Sequence, residues 1–337
     1  MASSAEDLLE AFNRATTEFK LCPNRVWAVG KESLPALLPP SGSHLPSYDT
    51  HDQCTVDFCE HSQRDFTGVS QRHECESEKE QADCLRIEGL FSAETLGKTA
   101  IAGHSTVWAL NGRTLLEPPR PYMAISHVWS DGTGTGAWPA GHVNRCLYNF
   151  FATIAEYFTC EGMWWDTICI PREKAARSAA IRRIQSNYQD ARITLVHDCF
   201  LRNWEWQEGN EEAACFAILM SPWFSRAWTA LELAKSRKVK IIFGGRLGGW
   251  PVIKDLDEEI LAREGQASGP HRKATRIIQA FRNGVSTLDD LLVALGHSLF
   301  NMPEARQDAS LCLTGDLDLV GTWTLIPANA VPERHYV

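Results

Sequence analysis

The chain has 337 residues, 44% of them apolar and 22% charged, enough for one large domain or two modest ones. Its net charge of −9 leaves no basic excess to neutralise phosphates, which argues against a nucleic-acid partner. No apolar run approaches the roughly 18 residues needed to cross a bilayer, so no membrane partner is expected.

The chain opens on MASSAEDLLEAFNRATTEF, an amphipathic helix pattern over residues 1–20. Ser3 and Glu6 form a capping box, and Leu8, Leu9 and Phe12 share one face. The stretch is acidic and unlike a secretory signal. Eleven cysteines then point to a reducing, cytoplasmic setting, where they serve as thiols or metal ligands. Residues 36–52, rich in proline, form an irregular connector. Residues 53–84 hold Cys54, Cys59, His61, His73, Cys75 and Cys84. Their C-x₄-C and H-x-C spacings depart from the paired knuckles of structural zinc sites. They are taken as thiols and a turn histidine with no disulfide among them, and Cys54, Cys59, His73 and Cys75 come nearest to a metal-ligating set.

After EPPRPY the pattern alternates. Strands are expected at 122–129, 162–170, 192–198 and 238–243, with helices near 142–158, 173–190 and 213–236. That alternation predicts an α/β fold with a parallel sheet flanked by helices. Further helices are expected at 252–264 and 271–283, and in STLDDLLVALGHSLF, where Thr287 and Asp290 form a capping box. GTWTLIP looks strand-like. The expected organisation is an N-terminal helix with a Cys/His-containing subdomain (1–115), an α/β core (116–250) and a helical extension (251–337).

The strands end on chemically useful residues: Ser126, His127 and Trp129; then Asp166 to Cys169, after Trp165; then His197, Asp198 and Cys199. Ligands of open parallel sheets sit at the carboxyl ends of the strands. Asp131 opens a loop with three glycines, which lets backbone approach a ligand closely. In SPWFSRAWTALELAKS, Trp223, Arg226, Trp228 and Glu232 cluster, and Trp228 and Glu232 share a helix face. Each has a plainer alternative: Asp166 as a turn cap, His127 as a satisfied core histidine, Glu232 as a surface ion pair.

AISHVWSDGTGTG, WWDTICIP and SRAWTALELAKS, with AIRRIQSNYQDARITLVHD between them, resemble in order and spacing the signatures of the fungal heterokaryon-incompatibility (HET) domain. The resemblance covers roughly residues 54–245. It implies a fold like that of Toll/interleukin-1 receptor (TIR) domains, a flavodoxin-like parallel sheet, here with helical N- and C-terminal additions. Trp228-x-x-x-Glu232 is similar to the motif that carries the catalytic glutamate of NAD-cleaving TIR domains. By that likeness Glu232 stabilises the ribosyl oxocarbenium as nicotinamide leaves, in a self/non-self response. Asp166 and His127 join it as catalytic residues, with Ser126, Trp129, Asp131, Trp165, Arg172, Trp223, Arg226 and Trp228 binding the ligand. NAD is then the substrate, no cofactor is assigned, and a homo-oligomer is open. HET proteins usually run on into a long C-terminal region, and their last motif more often reads Trp-Thr-Leu-Gln-Glu. Two alternatives stand beside this expectation. One is a cofactor-independent cyclase of specialised metabolism with a tryptophan-lined pocket for an apolar polyene or terpenoid. It would lack a DDxxD motif, since Asp289 and Asp290 have no third carboxylate. The other is a non-catalytic self-association module.

Overall fold

A computed structural model describes residues 5–30, 34–38, 51–59, 69–75, 77–117, 119–134, 142–209, 211–224, 227–245, 250–262 and 269–284. His61, Arg226, both expected capping boxes, STLDDLLVALGHSLF and GTWTLIP lie wholly or partly outside these residues. The chain divides into two compact units, and neither follows a simple cut of the sequence. The first comprises Met1–Arg64, Ser126–Val128 and Tyr188–Leu313; the second comprises Asp65–Ile125, Trp129–Asn187 and Thr314–Val337.

In chain order the helices are α1 (Ala5–Asn13), α2 (Pro23–Gly30), α3 (Leu34–Leu37), α4 (Glu78–Ala82), α5 (Ala93–Ile101), α6 (Arg145–Tyr157), α7 (Asp166–Cys169), α8 (Lys174–Arg182), α9 (Ile184–Asp190), α10 (Cys199–Arg202), α11 (Glu211–Met220), α12 (Ala227–Lys235) and α13 (Gly269–Gly284). The strands are β1 (Arg86–Ile87), β2 (Trp108–Ala109), β3 (Tyr122–His127), β4 (Val143–Asn144), β5 (Gly162–Trp164), β6 (Ile193–His197), β7 (Val239–Phe243) and β8 (Val252–Asp255). The α/β class expected from the sequence is the class observed. Beside its parallel pairs the structure also has antiparallel ones, at β2 and β8.

In the second unit β3 and β5 run parallel, with Met123 opposite Met163, and α6 supplies the crossover. Short β2 adds to β5 antiparallel, Trp108 opposite Met163. Every residue of β3 is buried, as expected for a strand covered on both faces. Trp108, 1% exposed, donates its indole N–H to the Ile168 carbonyl at 2.9 Å, so a large apolar ring is buried with its one donor satisfied. Ala100 of α5 packs against Ala176 and Ala180 of α8, a small-residue contact that draws the two helices close.

In the first unit β6 and β7 run parallel, and α10, α11 and α12 form the crossover. The apolar helix α11 (EEAACFAILM) is buried on nearly all sides, which explains a run that is hydrophobic all round. Helix α13 packs on α11 and α12, with Phe281 edge-on to Phe224 at 5.6 Å.

Four expected elements differ. The 162–170 strand ends at Trp164, and Asp166–Cys169 is a helical turn. The Asp166 carboxylate accepts from the Thr167 N–H at 2.6 Å, a local bond that competes with ladder pairing. The 213–236 helix is broken after Met220, where Pro222 has no N–H to give and the Ser221 hydroxyl instead accepts from the Phe224 N–H at 3.2 Å. The 173–190 helix is two, α8 and α9. The 252–264 helix is instead β8, antiparallel to β7 with Phe243 opposite Val252, followed by a π-helical turn at Leu256–Ile260.

Candidate functional site

Ser126, at the end of β3, is fully buried in the first unit. Its hydroxyl donates to the Glu232 carboxylate and accepts the Trp223 indole N–H at 2.7 Å. One hydroxyl thereby joins a strand end, the turn before α12 and the face of α12. The local sequence sets this geometry. Asp198 caps α10 by accepting the Leu201 N–H at 3.1 Å, and its second oxygen accepts the Trp223 N–H at 3.0 Å. The Thr229 hydroxyl donates to the Trp223 carbonyl. Trp223 is therefore held by backbone and ring together, and Glu232 faces inward at 9% exposure. A carboxylate so enclosed, with a fixed donor on it, has lost most of its water and its freedom to reorient.

Helix α12 is anchored from its far end. Arg282 of α13 donates to the carbonyls of Leu233 (2.8 Å), Ser236 and Arg237 (2.9 Å), and pairs with Asp257 at 2.9 Å. A guanidinium satisfies the last carbonyls and complements the negative end of the helix dipole. Nothing in the sequence around Arg282 signals this, because its partners lie 25 to 49 positions away.

Other expected residues sit as follows. In the second unit the Trp129 indole donates to the Asp166 carboxylate at 3.0 Å, and the neighbouring Thr167 hydroxyl donates to the Gly134 carbonyl at 3.0 Å. Trp165 is fully buried, edge-on to Phe151 at 5.3 Å. Arg172 is exposed. His127 is 7% exposed, with Nδ1 3.2 Å from the Val128 carbonyl oxygen. Of Trp228 only the helical backbone is described. Asp131 accepts from the Thr133 N–H at 2.9 Å, closing the turn that starts the glycine loop. Gly132 has φ +85°, and a Cβ there would meet the Ser70 carbonyl oxygen at 2.6 Å. The close backbone approach that this glycine permits is made by the chain itself: the Arg72 N–H donates to the Gly132 carbonyl at 3.0 Å.

The four cysteine and histidine residues nearest to a metal-ligating set are divided between two groups. Cys54 and Cys59 lie with Cys22 and His51; His73 and Cys75 lie with Cys84 and Cys146. Cys22, His51 and Cys146 are far from the rest in sequence or outside the polar segment, so spacing alone does not find them. The Cys59 thiol and burial push the Cys22 thiol up, and burial with the Cys146 and Cys84 thiols pushes Cys75 up to about 12. None of the ten described cysteines is joined in a disulfide. No described helix is long and apolar enough to cross a membrane.

Comparison of the chain with family models, with curated proteins and with solved structures gave no match in any of the three.

Proposed function

We propose that the chain is a HET-like NAD glycohydrolase with Glu232 as its catalytic carboxylate. The observation that supports this most is the buried Trp223–Ser126–Glu232 chain of hydrogen bonds at the carboxyl end of β3. A carboxylate needed only for solubility or a surface ion pair has no reason to be enclosed and oriented by two other elements. In the proposed reaction the bond between nicotinamide nitrogen and ribose C1′ breaks. Its electron pair leaves on nicotinamide, which becomes neutral. The ribosyl oxocarbenium is stabilised by the Glu232 carboxylate, preorganised by Ser126 at no further cost in reorientation. Water adds to C1′ and releases a proton to solvent, giving ADP-ribose.

The test is nicotinamide release from NAD by wild type and by Glu232→Gln. Gln keeps the volume and the ability to accept from Ser126 but lacks the charge. The expected loss is about 10²–10³-fold in kcat with the fold intact by circular dichroism. Wild-type protein that leaves NAD unconsumed while converting an apolar polyene would sink the proposal in favour of a cyclase.

A further inference from the structure

We propose that the chain binds two zinc ions at closed Cys₃His sites, one formed by Cys22, His51, Cys54 and Cys59 and the other by His73, Cys75, Cys84 and Cys146. Each group lies within one compact unit, and in each the four donor atoms lie within 4.8 Å of one another. Zinc with sulfur at about 2.3 Å and nitrogen at about 2.0–2.1 Å in a tetrahedron sets sulfur and nitrogen about 3.6 Å apart. The Sγ–Nδ1 separations are 3.4 Å for Cys54 and His51, 3.9 Å for Cys75 and His73, and 3.6 Å for Cys146 and His73. The spacing is that of donors around a common centre.

The donor type selects the ion. Thiolate with imidazole, and no carboxylate or carbonyl, suits zinc and disfavours magnesium or calcium. Four protein ligands leave no open position, which makes both sites structural and not catalytic. Each ion displaces three thiol protons to solvent, and zinc with three thiolates carries a net charge of about −1. In the first site Arg25, three residues after Cys22, is a buried cation whose charge has the sign to offset this one. In the second the Glu74 N–H donates to the Cys146 sulfur at 3.2 Å, a contact that supports a thiolate ligand.

The surrounding chain needs such a tie. Residues 51–59 hold no helix or strand, and within them only Cys59 is buried. The segment buries little apolar surface, and Asn24 of α2 joins it by donating to the Val56 carbonyl at 2.8 Å. The second group ties residues 69–75 to the end of α4 and to the first turn of α6. Disulfides fit less well, because three thiols in a group cannot all pair.

The test is the metal content of untagged full-length protein, expressed with zinc in the medium and purified without chelator. Two zinc ions per chain are expected. Cys59→Ser and Cys84→Ser are each expected to lower this to one. Because either variant can fail to fold, X-ray absorption at the zinc edge of wild type provides a second measurement, with a first shell averaging three sulfurs and one nitrogen. Fewer than two zinc ions per chain, a shell dominated by oxygen, or a disulfide in the intact mass of the natively alkylated protein would each overturn the proposal.

Discussion

Ser126 is a small residue with two obligations: its hydroxyl accepts the Trp223 indole N–H and donates to the Glu232 carboxylate. Ser126→Ala leaves a buried indole N–H and a nearly buried carboxylate each short of one partner. The expected cost is about 2–4 kcal/mol, at the upper end for a single hydroxyl because one of the two bonds is to a charge. Urea unfolding at pH 7 measures it. A loss below about 1 kcal/mol would show that water takes over both bonds, and that the site is wetter than its burial implies. Pairing the variant with Trp223→Phe in a double-mutant cycle isolates the indole bond, and the two losses should be clearly non-additive. The sequence marks Ser126, Trp223 and Glu232 individually as candidates. What spacing along the chain does not reveal is that they meet, since Ser126 and Glu232 are 106 positions apart.

The segment 252–264 shows why a short apolar run is ambiguous. Val252 and Ile253 fit one face of an amphipathic helix, but they are β-branched and lie against the open edge of β7, where ladder bonds are available. The helical character begins only at Asp255, whose carboxylate accepts the N–H groups of Asp257 (3.0 Å) and Glu258 (2.8 Å). Lys240 on β7 pairs with the same carboxylate at 2.9 Å. Burial works to raise the Asp255 pKa, but these backbone donors and Lys240 overcome it and hold the carboxyl below its ordinary value. The sign follows from that direction. The stabilisation is fully present above the unfolded value of about 3.9 and is lost as pH falls through the lower folded value. Asp255→Asn should therefore cost about 1–2 kcal/mol at pH 7 and progressively less toward pH 3. Urea midpoints of both proteins across that range check it; a gap that stays constant with pH would show that the charge of Asp255 contributes nothing.

The first compact unit is discontinuous, and Ser126–Val128 reaches it from the end of a strand that begins in the second unit. Its core extends from α1 to α13 and includes Val128. Deleting residues 65–187 and joining the ends with a short Gly/Ser linker would keep α11, α12 and most of that core. It would remove the Ser126 hydroxyl from Trp223 and Glu232, and Val128 from the core. The expected outcome is a protein that retains far-ultraviolet helical signal but loses cooperative thermal unfolding, as when packing specificity goes before secondary structure. A sharp, reversible calorimetric transition in the deletion protein would show that the first unit folds without β3.

Composition, periodicity and strand-end chemistry were sufficient to determine the α/β class and most of the regular elements, and to mark Ser126, Trp223 and Glu232 as candidates. These features are local: a buried strand or an amphipathic helix declares itself within about ten residues because its period is built into the backbone. Tertiary structure alone decided that the sheet is mixed, because an edge strand such as β8 is specified by a vacant ladder on its neighbour and not by its own pattern. It decided that Arg282 closes α12, and that Gly132 admits the chain's own backbone. It also decided that Cys22 joins His51, Cys54 and Cys59, while Cys146 joins His73, Cys75 and Cys84. Those pairings depend on which distant segments the core brings together, and a thiol or a guanidinium carries no mark in the sequence of the partner it will meet.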